Sequence, residues 1–305
     1  MTLVRISVVL ATRHRPDQAG PCVASILANP GDHFELIVVD QSDDDATERA
    51  LAAYAADQRL RYVRSQTRGL SVSRNVGIEA ARAPIIAFTD DDCRVSEDWI
   101  ARIEAAFAAS PEAAIVFGKV SLPAGALDRG YGAEFEPHRR EYQHCFPPAD
   151  VAWGIGANMA IRRRALGQIG SFDPLLGTGS DFGGGEDTDL AIRAIAAGLK
   201  IVNAKEVSVL HLGLREGADA TKLVRGYGEG VGATLAKHVR LGTRNGGRLL
   251  ASWVALHARR GLHNAVRFKR PTGLGFVGGM LLGICRSFAY GVDRDRHIYV
   301  ASSRK

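Results

Sequence analysis

The chain opens with short oily runs separated by longer mixed segments. RISVVLAT (5–12), FELIVVD (34–40), RYVRS (61–65), PIIAFTD (84–90) and AAIVFGKV (113–120) are brief, β-branched and mostly apolar on both faces. That is the pattern of strands inside a parallel or mixed sheet covered by helices. Between them, DATERALAAYAAD (45–57), SVSRNVGIEAAR (71–82) and SEDWIARIEAAFAA (96–109) are helix-like. In the last, Ser96 is expected as the N-cap, and Trp99, Ile103 and Phe107 share a face. Strand and helix alternating in this way predict a doubly wound α/β body. Residues 121–160 are irregular. A glycine-heavy loop then leads into the helix EDTDLAIRAIAAG (186–198), closed by Gly198, and KIVNAKEVSVLHLG (200–213) returns to strand character. After about residue 217 the chain reads as basic and helical.

Composition changes the picture in one respect. At 305 residues with 46% hydrophobic and 24% charged residues the chain is ordinary globular material. The formal charge of +6 hides an asymmetry: residues 211–305 hold 17 Lys+Arg against 5 Asp+Glu, whereas residues 1–210 hold 22 against 28. An acidic body therefore carries a basic extension. Cys22, Cys93, Cys145 and Cys285 are far apart with no metal-type spacing, which argues against structural zinc or a disulfide framework and fits a reducing cytosol. The apolar N-terminal run is followed by Arg13, His14 and Arg15, so it reads as a first strand, not a signal peptide. No run reaches the roughly 18–20 apolar residues of a membrane span; Thr272–Cys285 stops at Arg286.

The chemistry concentrates where strands end. Ligands of open α/β sheets bind outside the carboxyl ends of the strands. There the chain offers Thr12 and Arg13, then Asp40 and Ser42, then the triplet Asp90, Asp91 and Asp92. Three adjacent carboxylates repel one another, and either solvent or a cation must compensate them. Arg68 and Arg74 flank RGLSVSRN upstream, placed to meet phosphate oxygens or simply to solvate a surface. Neither GxGxxG nor GxxxxGK[ST] follows the first strand. Glu186 and Asp187 open a helix, where acidic residues also suit the helix dipole.

The ordered series ISVVLATRHRP, ELIVVDQS, GLSVSRNVGIEAARAPIIAFTDDDC, GANMAIRRRALGQIGSFDPLLG, GGEDTDLAIRAIAAG and VLHLG resembles family 2 glycosyltransferases of the GT-A fold over roughly residues 5–215. The resemblance implies a Rossmann-like, mixed and mainly parallel α/β sheet flanked by helices. It implies a catalytic domain over 1–217, with a nucleotide-sugar half to about 120 and an acceptor half from 121 to 217; residues 218–305 lie outside the resemblance and read, from charge and composition, as a basic amphipathic helical C-terminal extension. It implies that Thr12, Arg13, Asp40, Arg68, Arg74, Asn75, Asp90 and Asp91 bind the nucleotide sugar. Asp92, Asp90 and His211 would serve a divalent Mn²⁺ or Mg²⁺ ion. Trp153 and Asn158 would touch the acceptor, and Asp187, with Glu186 as understudy, would be the general base. The donor would be a UDP-, GDP- or dTDP-sugar and the acceptor a sugar or a lipid-linked molecule, in bacterial cell-surface glycan assembly. The Gln-x-x-Arg-Trp signature of processive synthases is absent, which points to single transfers.

The rivals are a sugar-1-phosphate nucleotidyltransferase, which would want a Gly- and Arg-rich loop after the first strand, and a two-metal phosphodiesterase. A third is a non-enzymatic membrane- or nucleic-acid-binding module. No nucleic-acid recognition motif accompanies the basic charge, and none is expected as a partner. The basic tail interleaves Arg and Lys with Leu, Phe and Trp, the composition of an interfacial segment on anionic lipid. Equally, it suits helices packing on the body. The expected location is the cytoplasm, with peripheral attachment to the inner face of the plasma membrane through Phe276, Leu281 and Phe288.

Overall fold

The computed structural model describes residues 3–137, 141–142, 153–268 and 273–301, with backbone only for 264–268. The expected strands form. β1 (Ile6–Thr12), β2 (Phe34–Asp40), β3 (Leu60–Arg64) and β4 (Ile85–Asp90) are mutually parallel in the order β3-β2-β1-β4. Ile6, Val8, Leu10, Leu36, Val38, Ile86 and Phe88 are fully buried. Each such side chain contributes about 1.5–3 kcal/mol of burial. Helices cover both faces, which is why these strands are apolar on alternate and intervening positions alike.

Between β2 and β3 the expected helix shrinks to α2 (Ala46–Leu51) and one 3₁₀ turn at 52–54. Before it lies α1 (Pro16–Leu27), a helix that the interior Pro21 disguises in the sequence. α3 (Leu70–Ala80) joins β3 to β4. Immediately after β4 comes a three-residue strand, β5 (Cys93–Val95), ahead of the expected helix. α4 (Trp99–Ala109) starts three residues later than expected, with Asp98 at its N-cap position, and Ser96 spends its hydroxyl on the Asp98 carboxylate at 2.8 Å.

The sheet then changes direction. β6 (Ala113–Ser121) is followed by a short helix, α5 (Ala126–Arg129), and by β7 (Glu141–Tyr142). β8 (Asn158–Arg162) inserts antiparallel between β4 and β6, and α6 (Arg163–Ile169) follows it. α7 (Glu186–Ala196) leads into β9 (Lys200–His211), which runs parallel to β6 and takes β5 and β7 antiparallel. The β5–β9 pairing puts Cys93 opposite His211 and draws that histidine to the aspartate triplet.

The basic extension is not a loose tail. α8 (Gly217–Arg240), α9 (Gly246–Phe268) and α10 (Leu274–Ser287) lie on the body, and β10 (Gly291–Asp293) and β11 (Ile298–Val300) form a hairpin. α8 and α10 approach so closely that a Cβ on Gly232 would stand 2.1 Å from the Met280 carbonyl, and one on Gly283 2.0 Å from that of Glu229. A charge cluster at zero exposure fixes α8 to the body: Lys237 Nζ lies 2.7 Å from Asp173 and 2.8 Å from Asp189. Asp189 also receives Arg193 and His238.

Candidate active site

Parallel registration brings the polar strand ends together: Thr12 pairs with Asp40, and Ala11 with Asp90. Beyond β4, Asp91 and Asp92 are buried, and Arg15 binds both, at 2.5 and 2.7 Å. Thr12 Oγ1 donates to Asp91 at 2.8 Å. Burial, opposed by Arg15 and assisted by the Asp92 charge, pushes the Asp91 carboxyl up to about 7. For Asp92 burial works the same way, but His211, Arg15 and Arg215 outweigh it and hold the group below the usual carboxylate range. One carboxyl of the triplet is thus poised near neutrality while its neighbour stays ionised.

Asp92, Cys93 and His211 offer ligand atoms all within 4.8 Å of one another. Asp92 Oδ1 and His211 Nδ1 are buried without a hydrogen-bond partner among the described residues. Asp92 Oδ1 sits 3.3 Å from His211 Nε2. A carboxylate oxygen beside an imidazole suits Mn²⁺ or Mg²⁺ that keeps further ligands from substrate phosphates. Burial raises the Cys93 thiol well above its usual value, so it is protonated and a poor ligand.

Two cavities meet here. One of about 300 Å³ is lined by Thr12, Arg13, Arg15, Arg68, the three aspartates, His211 and Arg215. The other, about 340 Å³, is lined by Asp90, Arg74, Glu186, Asp187 and the turn Gly154–Ala157. Leu70, Asp90, His211 and Tyr227 belong to both. Both volumes lie near the lower end of small-molecule sites. Beneath the junction Arg74, 2% exposed, spans Asp90 at 3.0 Å and Glu186 at 3.1 Å. Burial and the Asp187 charge, against Arg74, push the Glu186 carboxyl up to about 7. Asp187 accepts the Gly156 N–H at 2.9 Å and its neighbour's N–H at 2.6 Å, which fixes its carboxylate toward the second cavity. The preceding Gly185 has φ 84° and lies against the α8 backbone, where a Cβ would stand 2.6 Å from the Gly230 carbonyl.

Some expected residues are placed elsewhere. Asp40 is fully buried: it accepts from Ser42 and from the Tyr62 hydroxyl and lines neither cavity. Arg74 is committed to carboxylates on the second-cavity side and does not line the first. Asn75 clamps the Phe172 backbone with both ends of its amide, at 2.8 and 3.0 Å. Asn158 holds Trp99 and the carbonyls of Lys119 and Val207 in the core. Trp153 is 4% exposed and lies behind the second cavity, its ring 6.3 Å from that of Trp253. Thr12, Arg13, Arg68, Asp90, Asp91, Asp92, His211, Glu186 and Asp187 do converge.

Sequence reading missed Arg15, Arg215, Tyr131 and Tyr227, and the contribution of α9 and α10. Arg15 and Arg215 stand three residues past Thr12 and four past His211, a proximity that was available as a signal. For Tyr227 there was none, because helical periodicity does not reveal which loop a face of α8 meets.

A mixed sheet switching direction at an acidic strand end, with an acidic helix start opposite, is the GT-A architecture. The chain matches the model of glycosyl transferase family 2 over residues 7–170 and belongs to that family. It is 24% identical over 198 residues to a glucosyl-dolichyl phosphate glucuronosyltransferase of Haloferax volcanii, covering 58% of this chain and 59% of that protein. It is 38% identical over 112 residues to the succinoglycan biosynthesis protein ExoO of Rhizobium meliloti, 36% of this chain and 32% of that one. The chain thus spans about three fifths or less of the length of these curated relatives. Among solved structures, a Pyrobaculum calidifontis mannosyltransferase in complex with GDP-Man and Mn²⁺ superposes with TM-score 0.63 at 16% identity, covering 93% of this chain and 88% of that one. S. aureus TarS 1–349 with UDP-GlcNAc gives 0.62 at 15%, covering 90% and 79%.

Proposed function

We propose that the protein is an inverting, metal-dependent glycosyltransferase that moves a sugar from a nucleoside-diphosphate sugar to an acceptor hydroxyl in single transfers. The observation that carries the reading is the Asp90–Arg74–Glu186 bridge beneath two cavities that meet at Asp90. The first cavity would take the donor, with Arg13, Arg15, Arg68 and Arg215 facing its diphosphate. Asp92 and His211 would hold Mn²⁺ or Mg²⁺, which when bound offsets charge on the departing nucleoside diphosphate. The second cavity would take the acceptor. Asp187, oriented by the Gly156 N–H, removes the hydroxyl proton. The freed oxygen then attacks the anomeric carbon from the face opposite the leaving group, inverting its configuration. Glu186, held by Arg74, acts as a positioning residue.

The mannosyltransferase with GDP-Man and TarS with UDP-GlcNAc support a nucleotide-sugar donor. The succinoglycan relative supports a role in bacterial surface glycan synthesis. Among the described residues no helix is long and apolar enough to cross a membrane. Attachment to an anionic membrane surface is part of the proposal. It rests on exposed Arg244, Arg248, Arg259 and Arg260 with Leu262, Leu274, Leu281 and Phe288. Phe276, expected among the membrane contacts, is instead half-buried, its ring tilted against that of His257 at the second cavity. The experiment is to incubate the protein with UDP-, GDP- and dTDP-sugars, Mn²⁺ and an acceptor panel. Mn²⁺-stimulated release of one nucleoside diphosphate, lost in Asp187→Asn, is expected. Release without metal or without Asp187 would refute the scheme.

A further inference from the structure

The second cavity has a wall that lies outside the family match. Trp253, His257 and Arg260 of α9 and Phe276 of α10 line it, opposite the carboxylates of Glu134, Glu186 and Asp187. Three of these side chains form a series of tilted rings in contact: Trp253 and His257 are 5.7 Å apart at 38°, and His257 and Phe276 4.4 Å apart at 34°. Such ring faces are suited to the apolar face of a sugar. Burial first, and then Arg260, push His257 down to about 4, so its imidazole is neutral at physiological pH and acts as a ring.

The segment that builds this wall carries charge of one sign. From Glu229 to Asp293 the sequence contains ten Lys and Arg and no acidic residue between them. Three are engaged: Lys237 with Asp173 and Asp189, Arg286 with Glu229, and Arg240 with the carbonyls of Ser287 and Tyr290. Arg260 is exposed at the cavity and makes no ion pair among the described residues. One residue further on, Gly261 abuts Leu274, and Leu262 and Leu274 are 64% and 44% exposed. A cation without a carboxylate, at the rim of an aromatic cavity and beside exposed leucines, fits a sugar joined to a phosphate, with room for an apolar chain outside.

We propose that α9 and α10 form the acceptor subsite for a phosphate-bearing saccharide, with the Trp253–His257–Phe276 rings against its sugar and Arg260 on its phosphate. The inference rests on the transferase reading above and names the substrate class of its acceptor side. The phosphate belongs either to a lipid-linked saccharide or to a soluble sugar phosphate, and the probes below separate the two.

The test uses the full chain with its donor cavity filled by Mn²⁺ and whichever of UDP, GDP or dTDP it binds. Calorimetry then titrates decyl phosphate and inorganic phosphate. The loaded protein should bind decyl phosphate, and Arg260→Ala should weaken that binding about tenfold, the scale of one lost charge-assisted hydrogen bond. Arg260→Lys should retain most of it, and Arg248→Ala, an exposed arginine away from the cavity, should leave it unchanged. Nucleotide binding should be equal in all variants. Decyl phosphate binding much more tightly than inorganic phosphate supports the lipid-linked source; comparable binding supports the soluble one. No phosphate binding by the loaded protein, or equal loss in Arg248→Ala and Arg260→Ala, overturns the subsite while leaving the donor reading intact. Absence of Mn²⁺-dependent nucleotide binding in the wild type overturns the transferase reading, and this inference with it.

Discussion

Replacing Lys237 by Met tests whether the buried ion cluster holds the C-terminal helices to the catalytic body. The substitution keeps length and volume but removes the ammonium between Asp173 and Asp189. Asp189 keeps the Arg193 guanidinium at 2.8 Å and His238 at 2.9 Å. Among the described residues Asp173 keeps only backbone donors, the Tyr299 N–H at 2.8 Å and the Leu175 N–H at 3.1 Å, and is left as a buried charge without a cation. Breaking a buried pair from one side typically destabilises by 3–5 kcal/mol, and the surviving partners of Asp189 place this case near the lower figure, about 3. At about 2 °C per kcal/mol for a chain of this size, the melting temperature should fall by about 6 °C at pH 7. The pH dependence has a defined sign. Asp189 is held far below the usual carboxylate range, mainly by Arg193 and Lys237 against burial. In the wild type its contribution is therefore fully present above about pH 4 and is lost only in stronger acid. Adding Asp173→Asn should recover most of the loss. Thermal unfolding followed by circular dichroism measures all three. A Lys237→Met melting point within 1–2 °C of wild type at pH 7 would refute this account of the cluster.

The remaining predictions concern the site. Asp92→Ala should abolish Mn²⁺-dependent nucleotide binding in calorimetry while leaving the unfolding transition cooperative; undiminished binding would remove Asp92 from the metal site. Asp187→Asn should keep donor affinity and lower turnover by about 10²–10⁴, the usual worth of a general base, and a loss of only a few-fold would move the base to Glu186. Glu186, raised to about 7, is more stable protonated in the fold, so its contribution is complete below about pH 4 and declines as pH rises through 7. Glu186→Gln should flatten that decline in melting temperature between pH 5 and 8, and an unchanged slope would assign it to another group. At low salt the intact protein should pellet with anionic vesicles and raised salt should release it; failure to bind would remove the membrane contact from α9 and α10.

What the sequence made legible, and what it hid, follows from the range of the forces involved. β1, β2 and β4 are buried on both faces, so their oily runs announce them, and the aspartates that follow stand at strand ends because the strands must stop somewhere polar. Glu186 and Asp187 were visible because they begin a helix after a run of glycines. β5 was hidden because Cys93–Val95 becomes a strand only by pairing with Val209–His211, more than a hundred residues later. The same distance separates Arg74 from Glu186, which is why an arginine beside a phosphate-like motif turned out to be tied to two carboxylates. Asn75 and Asn158 had polar side chains in a recognisable motif, yet Asn75 is consumed by the Phe172 backbone and Asn158 by two carbonyls and the Trp99 indole, groups that only the fold brings near. The charge of the C-terminal segment left two readings open. Its basic surplus suited a membrane-facing segment as well as helices packed on the body; Lys237 is neutralised inside the body, and glycines at 228, 232, 279 and 283 let α8 and α10 meet backbone to backbone. Read as composition those glycines look like weak helix formers; read as contacts they are what allows Phe276 and Tyr227 to reach the second cavity from outside the α/β body.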